Sequence, residues 1–228
     1  MSTLYIISTP IGNLEDLSFR ALRILKEVDL ILCEDTRVTK KLLDHYEIKT
    51  LTLSYHQHSR LKKVNYILEL LKGGKILALV SDAGTPGISD PGGKLVNEVI
   101  KRLRDEVKIV PIPGPSAVTA AASISGFPMD KFLFLGFPPT KRKRKKFFQE
   151  VINSKYPVLF YESPYRIIKT LNELNLEAKT YNLEPKIVVC RELTKKFETI
   201  YRGKIDEVIE KIEKDKVKGE FVVVVERK

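Results

Sequence analysis

Two carboxylates, Asp82 and Asp90, stand in a segment otherwise built to bring a ligand against bare backbone. It is LVSDAGTPGISDPGG, residues 79–93, punctuated by Gly84, Pro86, Gly87, Pro91, Gly92 and Gly93. The apolar run Ile76 to Val80 before it reads as a buried parallel strand. Leu95, Val96, Val99, Ile100 and Leu103 after it are spaced as one face of a helix. Fifteen residues is long for a strand-to-helix loop, and long loops inside compact domains are usually functional or disordered. In an open α/β sheet, ligands bind at the carboxyl ends of strands, which is where this loop begins. Ordinary turn chemistry in a solvent loop is the plainer alternative, and length and position weigh against it.

Other loops leave expected strands with residues able to do chemistry. STPIGNLEDLS, Ser8 to Ser18, matches neither GxGxxG nor a P-loop, so a nucleotide phosphate is not its evident ligand. CEDTRVTKK, Cys33 to Lys41, sets Glu34, Asp35 and Arg37 where a strand ends and a helix starts; helix capping accounts for acids there as well as catalysis does. PIPGPSA brings backbone amides together beside Ser116. FYESPYR and CRELTKKFE supply Glu162, Arg166, Arg191, Glu192 and Lys195, a set that suits a polar, zwitterionic or nucleoside-bearing ligand unless its members only pair with one another.

Charge narrows the partners. The net charge is +11, from 40 Lys and Arg against 29 Asp and Glu, and six of the positive charges are consecutive: Lys141, Arg142, Lys143, Arg144, Lys145 and Lys146. Such a run repels itself and gains from a polyanion through counterion release, so nucleic acid is the expected partner, held mainly through phosphates. Cys33 and Cys190 stand far apart in apolar runs and read as buried thiols. His45, His56 and His58 lack the neighbours of a metal site or a Ser-His-Asp arrangement, so no metal is expected. The absence of a long apolar run or a signal-like amino terminus points to a cytoplasmic chain without a membrane partner.

The elements that must position these residues alternate strand and helix. Strands are expected at 4–8, 30–33, 50–54, 76–80 and 108–112, with helices at 18–27, 36–46 and 94–104 and an amphipathic helix capped by Ser59 and carrying Leu61, Val64, Ile67, Leu68 and Leu71 on one face. These give a mostly parallel five-stranded sheet covered on both faces. From Pro113 onward the pattern continues with a small-residue helix at 117–125, strands at 132–135, 158–161 and 187–190, helices ending near Ile152 and spanning 166–174, then strands at 198–202 and 220–225 around a helix at 205–212. That second half is a mixed sheet. The fold class is α/β with two αβα domains, 1–115 and 116–228.

STPIGNLEDLS, CEDTRVTKKLL, LVSDAGTPGISDPG, VPIPGPSA, FYESPYR, RELTKKFE and GEFVVVV, in this order over nearly the whole chain, resemble the ribosomal RNA small subunit methyltransferase I branch of the tetrapyrrole methylase superfamily. SDAGTPGISDPG and CEDTR carry the specificity, since PGPSA alone marks only the superfamily. Members acting on tetrapyrroles carry a GxGPGD-like first loop, and STPIGN departs from it toward the rRNA branch. The resemblance implies a class III methyltransferase with S-adenosylmethionine in a trough between the two domains, a homodimer, and 2′-O-methylation of a cytidine in the decoding region of small-subunit (16S) rRNA.

By matched motif, the resemblance puts the cofactor against Ile11, Gly12, Asp82, Ala83, Gly84, Pro86, Ser116, Ala117, Glu162, Arg191, Glu192 and Leu193. The chemistry it implies needs a ribose oxygen aligned behind the methyl group and relieved of its proton. Glu34, Asp35, Arg37 and Asp90 are the groups expected to face the substrate, with Glu162 and Arg191 as rivals, and the base stays open among them. Small-subunit rRNA or the small ribosomal subunit would be the partner. Two alternatives are methylation of a precorrin-like tetrapyrrole and a non-catalytic ribosome-assembly factor.

Overall fold

The structure is a computed structural model that describes residues 2–56, 61–215 and 217–226. The chain divides into two compact units, Met1–Ser116 and Ala117–Lys228.

The first unit holds strands β1 (Ser2–Ile7), β2 (Leu30–Cys33), β3 (Thr52–Ser54), β4 (Ile76–Val80) and β5 (Val107–Ile112) in the order β3-β2-β4-β1-β5, every pair parallel. Because successive side chains point to opposite faces, each strand feeds two apolar layers. Ile7, Ile31, Cys33, Ala78 and Val80 pack with α1 (Phe19–Glu27) and α2 (Thr36–His45). Leu4, Leu32, Leu77 and Leu79 pack with α3 (Leu61–Lys72) and α4 (Gly93–Leu103). The expected parallel sheet covered on both faces is what forms. Ser18 caps α1 by accepting the Ala21 amide. Ser59, expected to cap α3, and His58 lie outside the described residues. Helix α4 buries Leu95, Val99 and Leu103, whereas Ile100, expected on the same face, is exposed because only the i, i+4 and i+8 positions reach the sheet.

The second unit carries α5 (Ala117–Ser125), β6 (Leu133–Phe134), α6 (Arg144–Ile152), β7 (Val158–Glu162), α7 (Ile167–Thr180), β8 (Lys186–Arg191), β9 (Thr199–Lys204), α8 (Ile205–Glu213) and β10 (Phe221–Val225). Its sheet order is β6-β7-β10-β8-β9, parallel between β6 and β7 and antiparallel elsewhere, the mixed sheet expected. Helices α6, α7 and α8 share an apolar layer with Phe160, Val189 and Val223. The small side chains of α5 let it pack against β7 and β10. Helix α7 runs to Thr180 rather than stopping at Leu174, because Ala178 continues the buried face of Ile167, Leu171 and Leu174. Among the described residues, no helix is long and apolar enough to cross a membrane.

Candidate active site

Three loops of the first unit are laced together at the carboxyl ends of β4, β1 and β5. Thr9 and Gly84 exchange backbone hydrogen bonds, with the Thr9 amide donating at 2.9 Å and the Gly84 amide at 3.0 Å. The Thr9 hydroxyl donates to the Ser81 carbonyl at 3.1 Å, and the Ser81 hydroxyl donates to the Gly84 carbonyl at 3.0 Å. Ser8 and Thr85 share a 2.9 Å hydroxyl contact, and Thr85 donates to the Pro115 carbonyl at 3.2 Å. Ser8, Thr9 and Ser81 are buried. These hydroxyls satisfy carbonyls that a turn without repeating structure would leave unpaired. Sequence reasoning missed them. The signal available was a serine directly after β1 and after β4, at Ser8 and Ser81.

Glycine is required at two points in this lacing. Gly84 sits at φ +85°, and a Cβ there would come within 3.3 Å of Ile11 Cγ2. A Cβ on Gly114 would meet Ser8 Cβ at 3.1 Å. The backbones after β1, β4 and β5 therefore pass closer than side chains would permit. Asp82, Ala83 and Gly12 are left exposed, with Ile11 and Pro86 buried beneath and Ser116 and Ala117 half-buried.

The loop after β2 joins from the other side of β4. Asp82 Oδ1 accepts the Asp35 amide at 3.1 Å. Asp35 caps α2 by accepting the Arg37 amide at 2.8 Å, and the Arg37 guanidinium grips both its oxygens, at 2.7 Å for the shortest contact. Hydrogen bonds from the Arg37 side chain and amide hold the Asp35 carboxyl down at about 2. Glu34 behaves oppositely. Burial first, then the charges of Asp82 and Asp35, push its carboxyl up, with only the nearby His56 working the other way. His56 Nε2 is 2.9 Å from the Ser54 hydroxyl. Glu34 and Asp35 thus stand beside Asp82 with Arg37 held by Asp35, whereas Asp90 is half-buried farther along the β4–α4 loop, directly after Ser89 at φ +61°.

In the second unit, Phe221 of β10 pairs in register with Glu162 of β7 on one side and Arg191 of β8 on the other. Those two residues therefore stand at one level, about 10 Å apart at ordinary strand spacing. Both are engaged. Glu162 is fully buried as a side chain; it meets Arg166 at 2.7 Å and accepts the Thr170 hydroxyl at 2.7 Å and the Ser163 amide at 2.7 Å. Arg191 donates to the Lys218 carbonyl at 2.8 Å and to Asp215 at 2.8 Å. Lys195 bridges Glu192 at 2.9 Å and Glu220 at 2.8 Å. Burial works to raise the Glu192 carboxyl, but Lys195 and the Glu220 amide outweigh it and hold it low. The acids and bases expected to greet a ligand are largely paired with one another.

What stands out at that edge is the turn itself. Glu192 and Thr194 lie at φ +52° and +64°, the second an uncommon place for a β-branched residue. Among the described residues the buried Thr194 Oγ1 has no hydrogen-bond partner. Strained non-glycine turns cluster at ligand sites. Leu193 between them is buried.

The basic run is not six equivalent charges. Arg144 is 8% exposed and donates to Glu173 at 2.7 Å, to the Pro139 carbonyl at 2.8 Å and to the Thr170 hydroxyl at 2.9 Å. It therefore departs from the expected phosphate contact and anchors the segment instead. Lys141, Arg142, Lys143, Lys145 and Lys146 are exposed, with Lys143 at φ +68° as the N-cap of α6. Positive charge at a helix amino terminus opposes the helix dipole, so a polyanion there relieves both self-repulsion and dipole. Among the described residues, no group of three or more His, Cys, Asp or Glu could hold a metal ion. Cys33 and Cys190 are buried free thiols, the latter pushed up to about 12 by burial.

A family model for Tetrapyrrole (Corrin/Porphyrin) Methylases matches residues 3–209. A Thermotoga maritima protein named ribosomal RNA small subunit methyltransferase I is 44% identical over 228 residues, covering all of both chains. A Halalkalibacterium halodurans protein of the same name is 44% identical over 225 residues, 98% of this chain and 75% of its own. The crystal structure of the methyltransferase CobJ superposes with a TM-score of 0.71 over 100% of this chain and 95% of that one, and at 18% identity it speaks for the fold alone. The chain belongs to the tetrapyrrole methylase family, in the branch of the ribosomal RNA small subunit methyltransferase I proteins.

Proposed function

We propose that this protein is a cytoplasmic, homodimeric methyltransferase that uses S-adenosylmethionine to methylate the ribose 2′-oxygen of a cytidine in the decoding region of small-subunit rRNA. The observation that carries the reading is the 44% identity to the Thermotoga maritima relative through the full length of both chains, which takes in every loop of the candidate site and the basic segment. Methylation of a small tetrapyrrole would give five exposed cations at the start of α6 no task.

The residues fit such a cofactor. Exposed Asp82, with Glu34 and Asp35 beside it, suits a ligand bearing sulfonium and ammonium charge. Gly12 is exposed and has no side chain, so a ligand can reach the backbone there, and Thr194 Oγ1 offers an unspent hydrogen bond. The residues proposed to hold it are Ile11, Gly12, Asp82, Ala83, Gly84, Pro86, Ser116, Ala117, Glu162, Arg191, Glu192 and Leu193. When bound, the cofactor supplies a methyl group on a positively charged sulfur, so a C–O bond forms as the C–S bond breaks and the 2′-hydroxyl proton leaves.

Glu34 is the residue we assign to take that proton. Its raised carboxyl holds a proton more readily than Asp35, which Arg37 keeps at about 2 and so leaves a weak base. Arg37 and Asp90 orient the nucleotide. Asp82 steadies the loop after β2 by accepting the Asp35 amide. The test is methyl transfer from labelled S-adenosylmethionine to small ribosomal subunits, and to their rRNA, prepared from cells lacking the protein. Incorporation supports the reading. Transfer to a precorrin instead, or no cofactor binding by calorimetry, replaces it with the small-molecule enzyme or the assembly factor respectively.

A further inference from the structure

We propose that one edge of the second unit's sheet is a stacking ledge for unpaired RNA, with bases on Phe137, Tyr165 and Phe197 and phosphates on Lys141, Arg142 and Lys143. The inference rests on rRNA being the substrate and goes on to say in which form the RNA is gripped.

Strand β6 runs parallel to β7, and β7 and β8 each run antiparallel to β10, so all three point the same way and the loops that follow them leave from one edge. Each of those loops bears an exposed ring: Phe137 after β6 at 52%, Tyr165 after β7 at 96% and Phe197 after β8 at 66%. A tyrosine so exposed contributes nothing to the core, and three such rings along one edge, beside exposed cations, form a surface of unusual composition.

The rings are carried on fixed backbone. The Tyr161 amide donates to the Gly136 carbonyl at 2.8 Å, Arg166 donates to the Pro138 carbonyl at 3.2 Å, and the Phe137 and Tyr161 rings lie 5.4 Å apart. These contacts tie the loop bearing Phe137 to the loop bearing Tyr165. Arg144, through the Pro139 carbonyl, holds the same segment just ahead of Lys141, Arg142 and Lys143. At the third ring, the Lys196 ammonium sits 5.7 Å from the Phe197 centroid, joining a π surface to a charge.

Rings and cations together distinguish between RNA forms. Paired bases in an A-form helix hide their faces in the stack, and such helices are met through phosphates and 2′-hydroxyls. Unpaired bases expose their faces and stack on aromatic side chains regardless of sequence, while the backbone tracks positive charge. Phosphate contact alone, the expectation from the charge run, leaves the three rings without a task.

The experiment is fluorescence anisotropy of the full chain with a labelled unstructured oligoribonucleotide, with a duplex of equal length, and in competition with small ribosomal subunits. We expect tighter binding to the single strand. Phe137→Ala and Tyr165→Ala should each weaken single-strand binding roughly 5-fold or more with the salt slope unchanged, Tyr165→Ala should leave thermal unfolding unchanged, and Tyr165→Phe should restore binding. Parent-like single-strand affinity in both alanine variants, while neutralising Lys141, Arg142 and Lys143 still weakens binding, overturns the ledge and leaves the RNA reading intact. A loss seen with subunits and not with the oligonucleotide overturns it too, because the rings then meet ribosomal protein. Failure of the parent to bind any RNA removes the substrate reading itself.

Discussion

Asp82 Oδ1 accepts the backbone amide of Asp35 at 3.1 Å, which ties the glycine-rich loop after β4 to the acidic turn after β2. One carboxylate therefore has two separable tasks, holding a neighbouring loop and presenting charge. Asp82→Asn keeps an oxygen for the Asp35 amide and removes the charge, whereas Asp82→Ala removes both. Each variant should fold, and each should lose S-adenosylmethionine affinity by roughly 10-fold or more, as for a hydrogen bond to a charged group. Isothermal calorimetry checks this; parent-like binding by Asp82→Asn would restrict the carboxylate to its loop.

Glu34 gives a pH prediction with a definite sign. Its carboxyl is raised in the folded chain, so the stability it contributes is full below the unfolded value of about 4.3 and is lost as pH rises through the higher folded value. Glu34→Gln stays neutral throughout, so its melting temperature relative to the parent should rise between pH 4 and pH 7. Its kcat should fall by roughly 100-fold or more, as for loss of a general base, and the parent's acidic limb should disappear. A kcat within about twofold of the parent's would take the base role from Glu34.

Gly219 shows how the second unit holds its strained turn. At φ +95°, a Cβ there would fall 2.4 Å from Glu192 Cγ and 2.6 Å from its Oε1. Gly219→Ala should destabilise the fold by about 2 kcal/mol from the left-handed backbone alone, and should also push Glu192 away from Lys195. Chemical denaturation measures the first effect. An unchanged midpoint would contradict a left-handed backbone penalty at this position.

The basic run separates into two classes of variant. Neutralising Lys141, Arg142, Lys143, Lys145 and Lys146 while keeping Arg144 should leave stability unchanged and reduce the salt slope of single-stranded RNA binding by up to about 3.5. Arg144→Gln should instead cost about 2 kcal/mol of stability, as for losing hydrogen bonds to a charged group, with Thr170 and Glu173 losing their partner. Equal salt-slope losses from both variants would contradict the division.

Most of the architecture was legible because it is written in apolar periodicity. Leu77 and Leu79 against Ala78 and Val80, and Val64, Ile67, Leu68 and Leu71 along α3, show their faces directly in spacing. Loop chemistry was legible in part. The glycines and the acids after β2 and β4 stood out by type, but Ser8, Thr9, Ser81 and Thr85 look like ordinary polar loop residues until strand order brings their loops together. Pairing was the least legible feature. Arg144 reads like its five neighbours, and only the fold brings it to Thr170 and Glu173. Similarly, Gly219 and Glu192 are 27 positions apart and meet because β8 and β10 are neighbours.

Ribose methylation of one cytidine by this chain would be read out by mass-spectrometric mapping of small-subunit rRNA. The rRNA would come from cells lacking the protein, before and after incubation with the purified chain and S-adenosylmethionine. A 2′-O-methyl group should appear on a single cytidine in the decoding region with the parent, and fail to appear at the same enzyme concentration with Glu34→Gln. An rRNA map identical with and without the parent protein, or a methyl group on a base instead of a ribose, would contradict it.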